Sequence, residues 1–360
     1  MAKSSGNLET VTRVGLDLAK NFFQVHAIDA QGAVVCVRKL KRAAVLAFFA
    51  KLPACEVTME ACSSAHHWGR ELASRGHSVK LIPAAHVKPY VRRGKSDAID
   101  AAAICEAAAR PGQRFVSVRS VENQAELMRH RARDLLIRQR TAMLNALRGH
   151  LAEIGVIAAQ GAQNAYGLKR TLEAGHDEDG EVVVPDCVRK ALAPLCAQID
   201  AADGQIEAID EKIAAAVKAD ARAKRLMTIP GIGPLIASAL LATVQDFTSF
   251  SGPREFAAHL GLTPRQDSTG GKTRLGRITK MGDRYLRKLL VVGAHAALCH
   301  AKGHNDALRL WAKALLERQT VRHKVALTAV ALANKLARIV FALMASGKDY
   351  DDRPVAAAAA

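Results

Sequence analysis

Four acidic residues in the first hundred positions could act together on a phosphodiester. Asp17 ends a predicted strand in GLDLAK, Glu60 ends another in VTMEA, and Asp97 and Asp100 begin a predicted helix in KSDAIDA. Residues three apart on a helix share one face, so Asp97 and Asp100 can point at the same spot. Four carboxylates this close would repel one another unless hard divalent cations lay between them. Two Mg²⁺ about 3.5 to 4 Å apart stabilise the attacking and leaving oxygens at phosphorus, and the sequence predicts such a catalytic metal site.

The order of the predicted elements decides whether these acids can meet. Three β-like runs with short turns form a predicted antiparallel meander, after which helices and strands alternate. The order βββαβαβα is that of the RNase H-like fold, in which the first and fourth strands are parallel neighbours and their ends adjoin. Taken singly, Asp97 is better explained as a helix N-cap and Asp17 as a turn residue, but the coincidence with strand order favours the metal site. The predicted strands are 11–18, 22–30, 32–40, 56–60 and 78–82, and the predicted helices are 43–52, 65–75 and 97–109.

A second candidate site is a hydroxyl-bearing turn among cations. In the block GLTPRQDSTGGKTRLGRITKMGDRYLRK (261–288), Ser268 and Thr269 precede Gly270 and Gly271. Such a hydroxyl suits a phosphate-binding site or a nucleophile that attacks phosphorus, and the alternative is an ordinary turn on a solvated basic face. Seven cations follow within the block, of which we predict the first six to contact nucleic acid: Lys272, Arg274, Arg277, Lys280, Arg284 and Arg287, followed by Lys288.

A third motif is the PGIG turn inside LMTIPGIGPLIASALLATV (226–244), which separates two apolar helical segments. It resembles a helix-hairpin-helix, in which Gly231 and Gly233 would let backbone N–H groups and a helix N-terminus approach a phosphate. The alternative is a plain turn between helices, since two glycines in this spacing are weak evidence.

The middle of the chain is predicted to be helical. Residues 118–158 interleave apolar residues with arginines, of which we predict Arg129, Arg133 and Arg140 to contact nucleic acid. In 192–217, apolar residues recur in alternating steps of three and four, which indicates a coiled-coil seam. A hairpin within one chain and a coil between chains explain that seam equally well. The intervening segment 159–190, with Gly and acidic residues around 173–181, is predicted to be an exposed excursion.

Composition points to a polyanionic partner. Lys and Arg number 52 against 34 Asp and Glu, which gives a formal net charge of +18. Nucleic acid is the default partner of such a chain, ahead of a membrane surface. The seven cysteines form no CxxC pair and suggest reduced thiols. Because neither a signal peptide nor an uncharged apolar run of about 18 residues is found, we expect a cytoplasmic protein that works at the nucleoid.

At 360 residues the chain suits two or three domains. We expect a catalytic α/β domain at 1–112, a helical segment at 113–220 and a mainly α-helical C-terminal domain at 221–346. The last residues, 347–360, form a polar turn and an alanine run that we expect to be disordered.

These motifs together resemble one family. The chain looks like insertion-sequence transposases that join an N-terminal RuvC-like DEDD domain to a C-terminal domain bearing a serine, a family that includes pilin-gene inverting recombinases. GLDLAK, the strand-end Glu60, KSDAIDA, PGIG and the serine block occur in the family's order, and the resemblance covers about residues 11–346.

The resemblance implies functions for particular residues and partners. Asp17, Glu60, Asp97 and Asp100 would hold Mg²⁺, and Ser268 would be the catalytic serine, linked transiently to DNA. It also implies a bridging non-coding guide RNA that pairs with donor and target DNA, and a homodimer or homotetramer that shares active sites. In the family the serine often stands directly before Gly, whereas Thr269 has that place here. We therefore choose Ser268 and keep Thr269 as the fallback.

Two other functions remain open at the level of sequence. A RuvC-like junction-resolving nuclease needs only the four acids and an activated water, which leaves the serine block unexplained. A non-catalytic architectural protein would use the arginine-rich helix and the hairpin, which leaves the carboxylates unexplained. Strand breakage that depends on Mg²⁺ separates these functions.

Overall fold

The computed structural model describes residues 7–91, 96–177, 180, 183–300 and 306–351. The chain divides into two compact units, Met1–Gln124 and Ala125–Ala360. The first is a mixed α/β unit and the second is almost entirely helical. Most of the predicted tail, 352–360, lies outside the described residues.

A five-stranded sheet forms the centre of the first unit. Its strands are β1 (Arg13–Leu18), β2 (Phe22–Ile28), β3 (Val34–Lys41), β4 (Glu56–Glu60) and β5 (Ser78–Ile82). The order across the sheet is β3-β2-β1-β4-β5. The first three strands pair antiparallel, whereas β4 runs parallel to β1 and to β5. The predicted meander and the predicted parallel pairing of the first and fourth strands are therefore both present.

Alternating burial explains why these segments are strands. In β2, Phe23, Val25 and Ala27 are fully buried at every second position, as a half-buried strand requires. Four helices accompany the sheet: α1 (Val45–Phe49), α2 (Ala65–Ala73), α3 (Ala84–Val87) and α4 (Asp97–Ala109). The predicted helix 43–52 is shorter than expected, because its first residues form a 3₁₀ turn at Arg42–Ala44.

Gly15 lets α4 lie against β1 at very close range. A Cβ on Gly15 would stand 2.2 Å from the backbone oxygen of Ala101 and 2.7 Å from the nitrogen of Cys105. No side chain fits in that space, so this contact depends on glycine. The contact fixes the helix that begins with Asp97 onto the strand that carries Asp17.

The second unit contains two long helices and a compact C-terminal set. Its helices are α5 (Val121–Ala152, which begins in the first unit), α6 (Ala162–Ala174), α7 (Asp186–Ala219), α8 (Ala221–Met227), α9 (Pro234–Thr243), α10 (Pro253–His259), α11 (Arg284–Cys299), α12 (Ala307–Arg318) and α13 (Lys324–Ser346). Two short strands, β6 (Pro264–Gln266) and β7 (Leu275–Ile278), pair antiparallel.

Helices α5 and α7 pack as an antiparallel pair within one chain. Arg133 on α5 forms an ion pair with Asp210 on α7, and Arg140 forms one with Asp203 at 2.7 Å. As residue numbers rise along α5 they fall along α7, which defines the antiparallel sense. Ile199 of the predicted seam is fully buried in a cluster with Leu147 of α5. Of the two arrangements left open by the sequence, this structure contains the hairpin within the chain.

The predicted exposed excursion at 159–190 is partly folded. Helix α6 buries Ala165, Leu168 and Leu172, spaced at i, i+3 and i+7, in the cluster that also contains Leu147 and Leu151. The prediction of an exposed segment was wrong for this helix, because the acidic stretch after it masked an amphipathic pattern. Residues 178, 179, 181 and 182 of the acidic stretch lie outside the described part of the chain.

Helix α13 is the centre of the C-terminal core. Leu332, Leu336 and Val340 are fully buried and pack with residues of α8 to α11. By length and composition alone α13 could cross a membrane, but a core helix of a globular unit meets the same criteria.

Candidate active-site residues

The structure places the four predicted acids of the first unit near one another. The parallel register pairs Leu16 of β1 with Met59 of β4, so Asp17 and Glu60 follow at adjoining strand ends. Both Asp97 and Asp100 lie in the first turn of α4, the helix that packs on β1.

Electrostatics shows how crowded these carboxylates are. The pKa of Asp17 is raised to about 6, mainly by burial and then by the negative charges of Asp100, Asp97 and Glu60. The pKa of Glu60 is also raised, by burial and by Asp100. A carboxyl group whose ionised form is destabilised by other carboxylates is a group that a cation would stabilise.

The first residues of α4 decide whether Asp97 serves as the N-cap of this helix. The N-cap of α4 is Ser96, whose side chain accepts a hydrogen bond from the backbone N–H of Ile99. Asp97 is therefore not needed as the cap, and its carboxylate lies 3.5 Å from Nζ of Lys39. Asp17 is likewise a strand residue, paired with Gln24, and not part of a turn.

The donor set fits a divalent cation by its chemistry. Carboxylate oxygens are the hard ligands that Mg²⁺ prefers, and burial together with the neighbouring carboxylates raises the pKa values of Asp17 and Glu60. Among the described residues, no three acidic, histidine or cysteine side chains stand close enough to form a ready-made metal group. The four acids therefore lie around a common region, but their side chains are not close enough to one another to bind one metal ion as they stand.

The predicted serine lies on a small exposed hairpin in the second unit. Strands β6 and β7 pair Gln266 with Leu275, and the backbone of Thr269 forms a bridge with Lys272 across the turn. Gly270 and Gly271 have φ values of +55° and +75°, a left-handed conformation that glycine adopts without strain. The glycine pair thus makes the tight turn that follows the two hydroxyl residues.

Two donors hold the hydroxyl of Ser268. Its Oγ accepts hydrogen bonds from Nε2 of Gln266 at 3.0 Å and from the backbone N–H of Arg274 at 3.2 Å. With both donors directed at the oxygen, the hydroxyl proton points elsewhere and can be given to an acceptor.

The cations of the serine block fall into two groups. Arg287 donates to the backbone oxygens of Leu260 and Met281, and Lys288 pairs with Asp134 at 2.7 Å, so both hold the fold together. The other five are exposed, and within the described part of the chain no carboxylate pairs with them: Lys272, Arg274, Arg277, Lys280 and Arg284.

The predicted nucleic-acid contacts of α5 have partners in the chain. Arg133 and Arg140 bind carboxylates of α7, and Arg129 pairs with Glu126 one turn earlier. Their contact with nucleic acid stays a prediction, and the structure gives two of them a role in holding the helix pair.

The two glycines of the PGIG turn have different surroundings. Gly231 has φ +87°, and a Cβ there would stand 2.6 Å from the backbone oxygen of Gly293 on α11. Its need for glycine thus follows from helix packing. Gly233, the N-cap residue of α9, has open space around it. The contact of this turn with phosphate stays a prediction.

Sequence reasoning missed a buried polar cluster in the second unit. His130 of α5 is 1% exposed, and its ring nitrogens lie 3.2 Å from the hydroxyl of Tyr285 and 3.0 Å from that of Ser238. The pKa of His130 is lowered to about 4, mainly by burial and then by the charges of Arg133 and Arg129, against the opposing effect of Asp210. No local pattern joins residues 108 and 155 positions apart, so the sequence carried no signal for this cluster.

Two transposase family models match separate parts of this chain. A model of DEDD transposases matches residues 14–156, and a model described as the transposase IS116/IS110/IS902 family matches residues 223–309. The class is therefore DNA transposase or recombinase, an enzyme that acts on DNA. The chain belongs to the IS116/IS110/IS902 family of transposases.

Several relatives cover nearly the whole chain. A probable family 20 transposase of Pseudomonas aeruginosa is 47% identical over 341 residues, which is 94% of this chain and 98% of the relative. The transposase for insertion sequence element IS1111A of Coxiella burnetii is 38% identical over 97% of this chain and 93% of its own length. A pilin gene-inverting protein of Moraxella lacunata is 27% identical over 37% of this chain and 39% of its own length.

Proposed function

We propose that this transposase cuts and rejoins DNA with Mg²⁺ held by Asp17, Glu60, Asp97 and Asp100 and with Ser268 as the nucleophile. The observation that carries the proposal is the grouping of the four acids at two adjoining strand ends and at the start of α4, where burial and then the charges of the other three raise the pKa of Asp17 to about 6. Strongly perturbed pKa values of carboxyl groups are frequent at catalytic sites.

The proposed fold of the first unit is RNase H-like. Its support is the strand order β3-β2-β1-β4-β5, with the parallel neighbours β1 and β4 carrying acids at adjoining ends. In the same way we keep the helix-hairpin-helix as a proposal for the PGIG turn, for which the open surroundings of Gly233 leave room.

The chemistry of the proposed step balances without an external energy source. Bound Mg²⁺ would supply positive charge to the attacking and leaving oxygens. The Oγ of Ser268 forms a bond to phosphorus and loses its proton to a base, while one P–O bond to a deoxyribose breaks and the released oxygen takes up a proton. The hydroxyl of a second strand then displaces Ser268 and restores a phosphodiester, so strands are exchanged at nearly constant bond energy.

We also propose particular partners for this enzyme. They are a bridging guide RNA that pairs with donor and target DNA, and a homodimer or homotetramer of this chain. The exposed cations around the serine hairpin and the net charge of +18 support binding to polyanions. The proposed setting is the cytoplasm, at the nucleoid.

The test compares two neighbouring hydroxyls. We expect Ser268→Ala to bind DNA normally but to give neither joined products nor a DNA-linked protein band after denaturation, while Thr269→Ala keeps part of its activity. A covalent band that survives in Ser268→Ala and disappears in Thr269→Ala would move the role to Thr269. Efficient cleavage by Ser268→Ala, with no covalent species in the unaltered protein, would instead favour a junction-resolving nuclease.

A second test addresses assembly. If protomers cooperate, a mixture of Ser268→Ala and Asp17→Ala proteins should regain activity that each alone lacks, because each chain supplies the residue that the other has lost. Retained inactivity of the mixture, with each protein folded and bound to DNA, would count against shared function.

A further inference from the structure

A cavity of about 760 Å³ lies beside the serine hairpin in the second unit. Its walls include Leu262, Pro264 and Ile278 on one side, and residues of α12 and α13 on the other. This volume falls within the range of about 300 to 1,000 Å³ that is typical of small-molecule sites.

The cavity combines apolar walls with positive charge. Lys335 and Arg338, three residues apart on α13, both line it, and none of its lining residues is acidic. Nζ of Lys335 stands 4.2 Å from the ring centre of Trp311, which holds the ammonium group among the lining residues. Among the described residues, neither cation has a carboxylate partner. Burial and the charge of Arg338 lower the pKa of Lys335, so an anion would relieve this pair.

Apolar walls beside two unpaired cations match the chemistry of a nucleotide. A base offers two apolar faces that can lie against aliphatic and aromatic side chains, and its phosphate offers the anion. A purely apolar ligand would leave the cations uncompensated, and inorganic phosphate alone would leave the walls uncovered.

The position of the cavity relates it to the serine. Pro264 and Ile278 are paired across β6 and β7, so the base of the hairpin forms part of the wall. Ser268 lies four residues farther along the same chain, which at about 3.3 Å per extended residue is roughly 13 Å away. That distance corresponds to about four nucleotide steps at the rise of 3.4 Å per nucleotide of one B-DNA strand.

We propose that this cavity receives one unpaired nucleotide of the DNA strand on which Ser268 acts, with the base against the apolar walls and the phosphate between Lys335 and Arg338. The choice of strand rests on the proposed role of Ser268, whereas binding of the nucleotide does not require its hydroxyl. The amide of Asn334 already donates to the backbone oxygen of Leu262, and the remaining walls carry few groups that could distinguish bases. The site therefore accepts any base.

The experiment measures binding by the full-length Ser268→Ala chain, so that cleavage does not interfere. Three duplexes of equal length are compared by fluorescence anisotropy: one fully paired, one with a single unpaired thymidine, and one with an abasic residue in place of that thymidine. The last two carry the same phosphates, so their ratio isolates the base. We expect the unpaired thymidine to bind about tenfold more tightly than the abasic residue.

Substitutions in the cavity should remove this preference. Ala331→Phe fills the cavity, and Ala342→Phe does so from an exposed position in case the first variant does not fold. Lys335→Met keeps the apolar stem but loses the charge, and should weaken binding of the unpaired-thymidine duplex by about tenfold. The matched control is Lys324→Met, an exposed lysine of the same helix outside the cavity, which should bind like the parent chain.

Several results would overturn the inference. They are equal affinity for the thymidine and abasic duplexes, or a preference that persists in both phenylalanine variants. If Ala331→Phe changes the sedimenting mass while the preference for thymidine persists, the cavity holds a second copy of the chain and not DNA. A preference that behaves as expected in Ser268→Ala, together with no covalent band from the unaltered protein, would leave the cavity assigned and the serine mechanism rejected.

Discussion

The two candidate sites are held by different means. The acids of the first unit are carried by β1 and β4, two strands of the central sheet, and by α4, which packs on that sheet. The contact at Gly15 fixes α4 to β1. The serine of the second unit stands on two strands of three and four residues, with an exposed turn. Substitutions that move the first site must therefore disturb the core, whereas those in the hairpin can change chemistry or binding and leave stability almost unaffected.

The largest effect should come from the acids. Asp17→Ala or Glu60→Ala should lower DNA cleavage by more than about a thousandfold. Each variant loses a carboxylate that would hold Mg²⁺, and the charge of the bound metal stabilises the transition state by several kcal/mol. Removal of divalent cations with a chelator should have the same effect on the unaltered protein. Glu106→Ala, which changes an exposed acid farther along α4, serves as the control and should cleave normally. Cation-dependent cleavage retained in both variants would falsify the metal-site assignment.

A second substitution tests whether packing positions the acids. Gly15→Ala forces a Cβ against the backbone of α4, and overpacking of this kind should destabilise the protein by at least about 2 kcal/mol. Cleavage should fall together with stability, since Asp97 and Asp100 move with the helix. Gly204→Ala, a helical position with open space around it, should raise stability by up to about 1 kcal/mol. The comparison fails if urea titrations give the two variants equal stability.

His130 and Asp17 should respond to acid in opposite senses. His130 is neutral when folded, because its pKa is about 4 against an ordinary value of 6.5. The unfolded chain binds the proton more readily in this range, so stability is full above about pH 6.5 and falls by roughly 3 kcal/mol as the pH drops towards 4. Asp17, whose folded pKa is raised, adds stability as the pH falls through 6 in the absence of metal.

Urea unfolding at pH 7 and pH 5 measures this difference. Trp311 reports on the second unit and Trp68 on the first. The loss of stability that the second unit shows at pH 5 should largely vanish in His130→Gln, which cannot be charged. An unchanged pH dependence in that variant would show that other groups cause the loss.

The smallest effect concerns salt. Arg277→Met should reduce the logarithmic salt slope of DNA binding by about 0.9, the value for one phosphate contact on B-DNA. Lys288→Met should not change the slope, because its ammonium is already paired with Asp134. Equal slopes for both variants would remove Arg277 from the proposed DNA surface.

Local patterns were enough to locate the acids but not to describe their surroundings. Alternation of apolar residues indicates the strands, and the order of the elements along the chain predicts the parallel pairing of β1 with β4 that brings the ends at Asp17 and Glu60 together. The sequence left a helix N-cap as the alternative role of Asp97, whereas Ser96 makes the capping bond, because adjacent residues with similar cap preference differ only in backbone angles. The close approach at Gly15 depends on residues about 86 positions away and leaves no mark in its own neighbourhood.

Long-range contacts also explain what was missed in the second unit. Arginines on a helix predict a polyanion surface, but Arg133 and Arg140 face carboxylates that are more than sixty residues distant. The cavity beside the serine hairpin likewise combines stretches of chain that are far apart in sequence, from Pro253 to Ala342. Such features become visible only when the helices are packed.

The contact between Gly231 and Gly293 restricts how this sequence can evolve. A Cβ at either position collides with the backbone oxygen of the other, at 2.6 Å and 2.2 Å. Because each collision is with main chain, a change at one position cannot be rescued by a change at its partner. Neither glycine can therefore be replaced with compensation by its partner. We expect both positions to stay glycine in functional copies of this transposase, whatever changes occur on the helix surface around them.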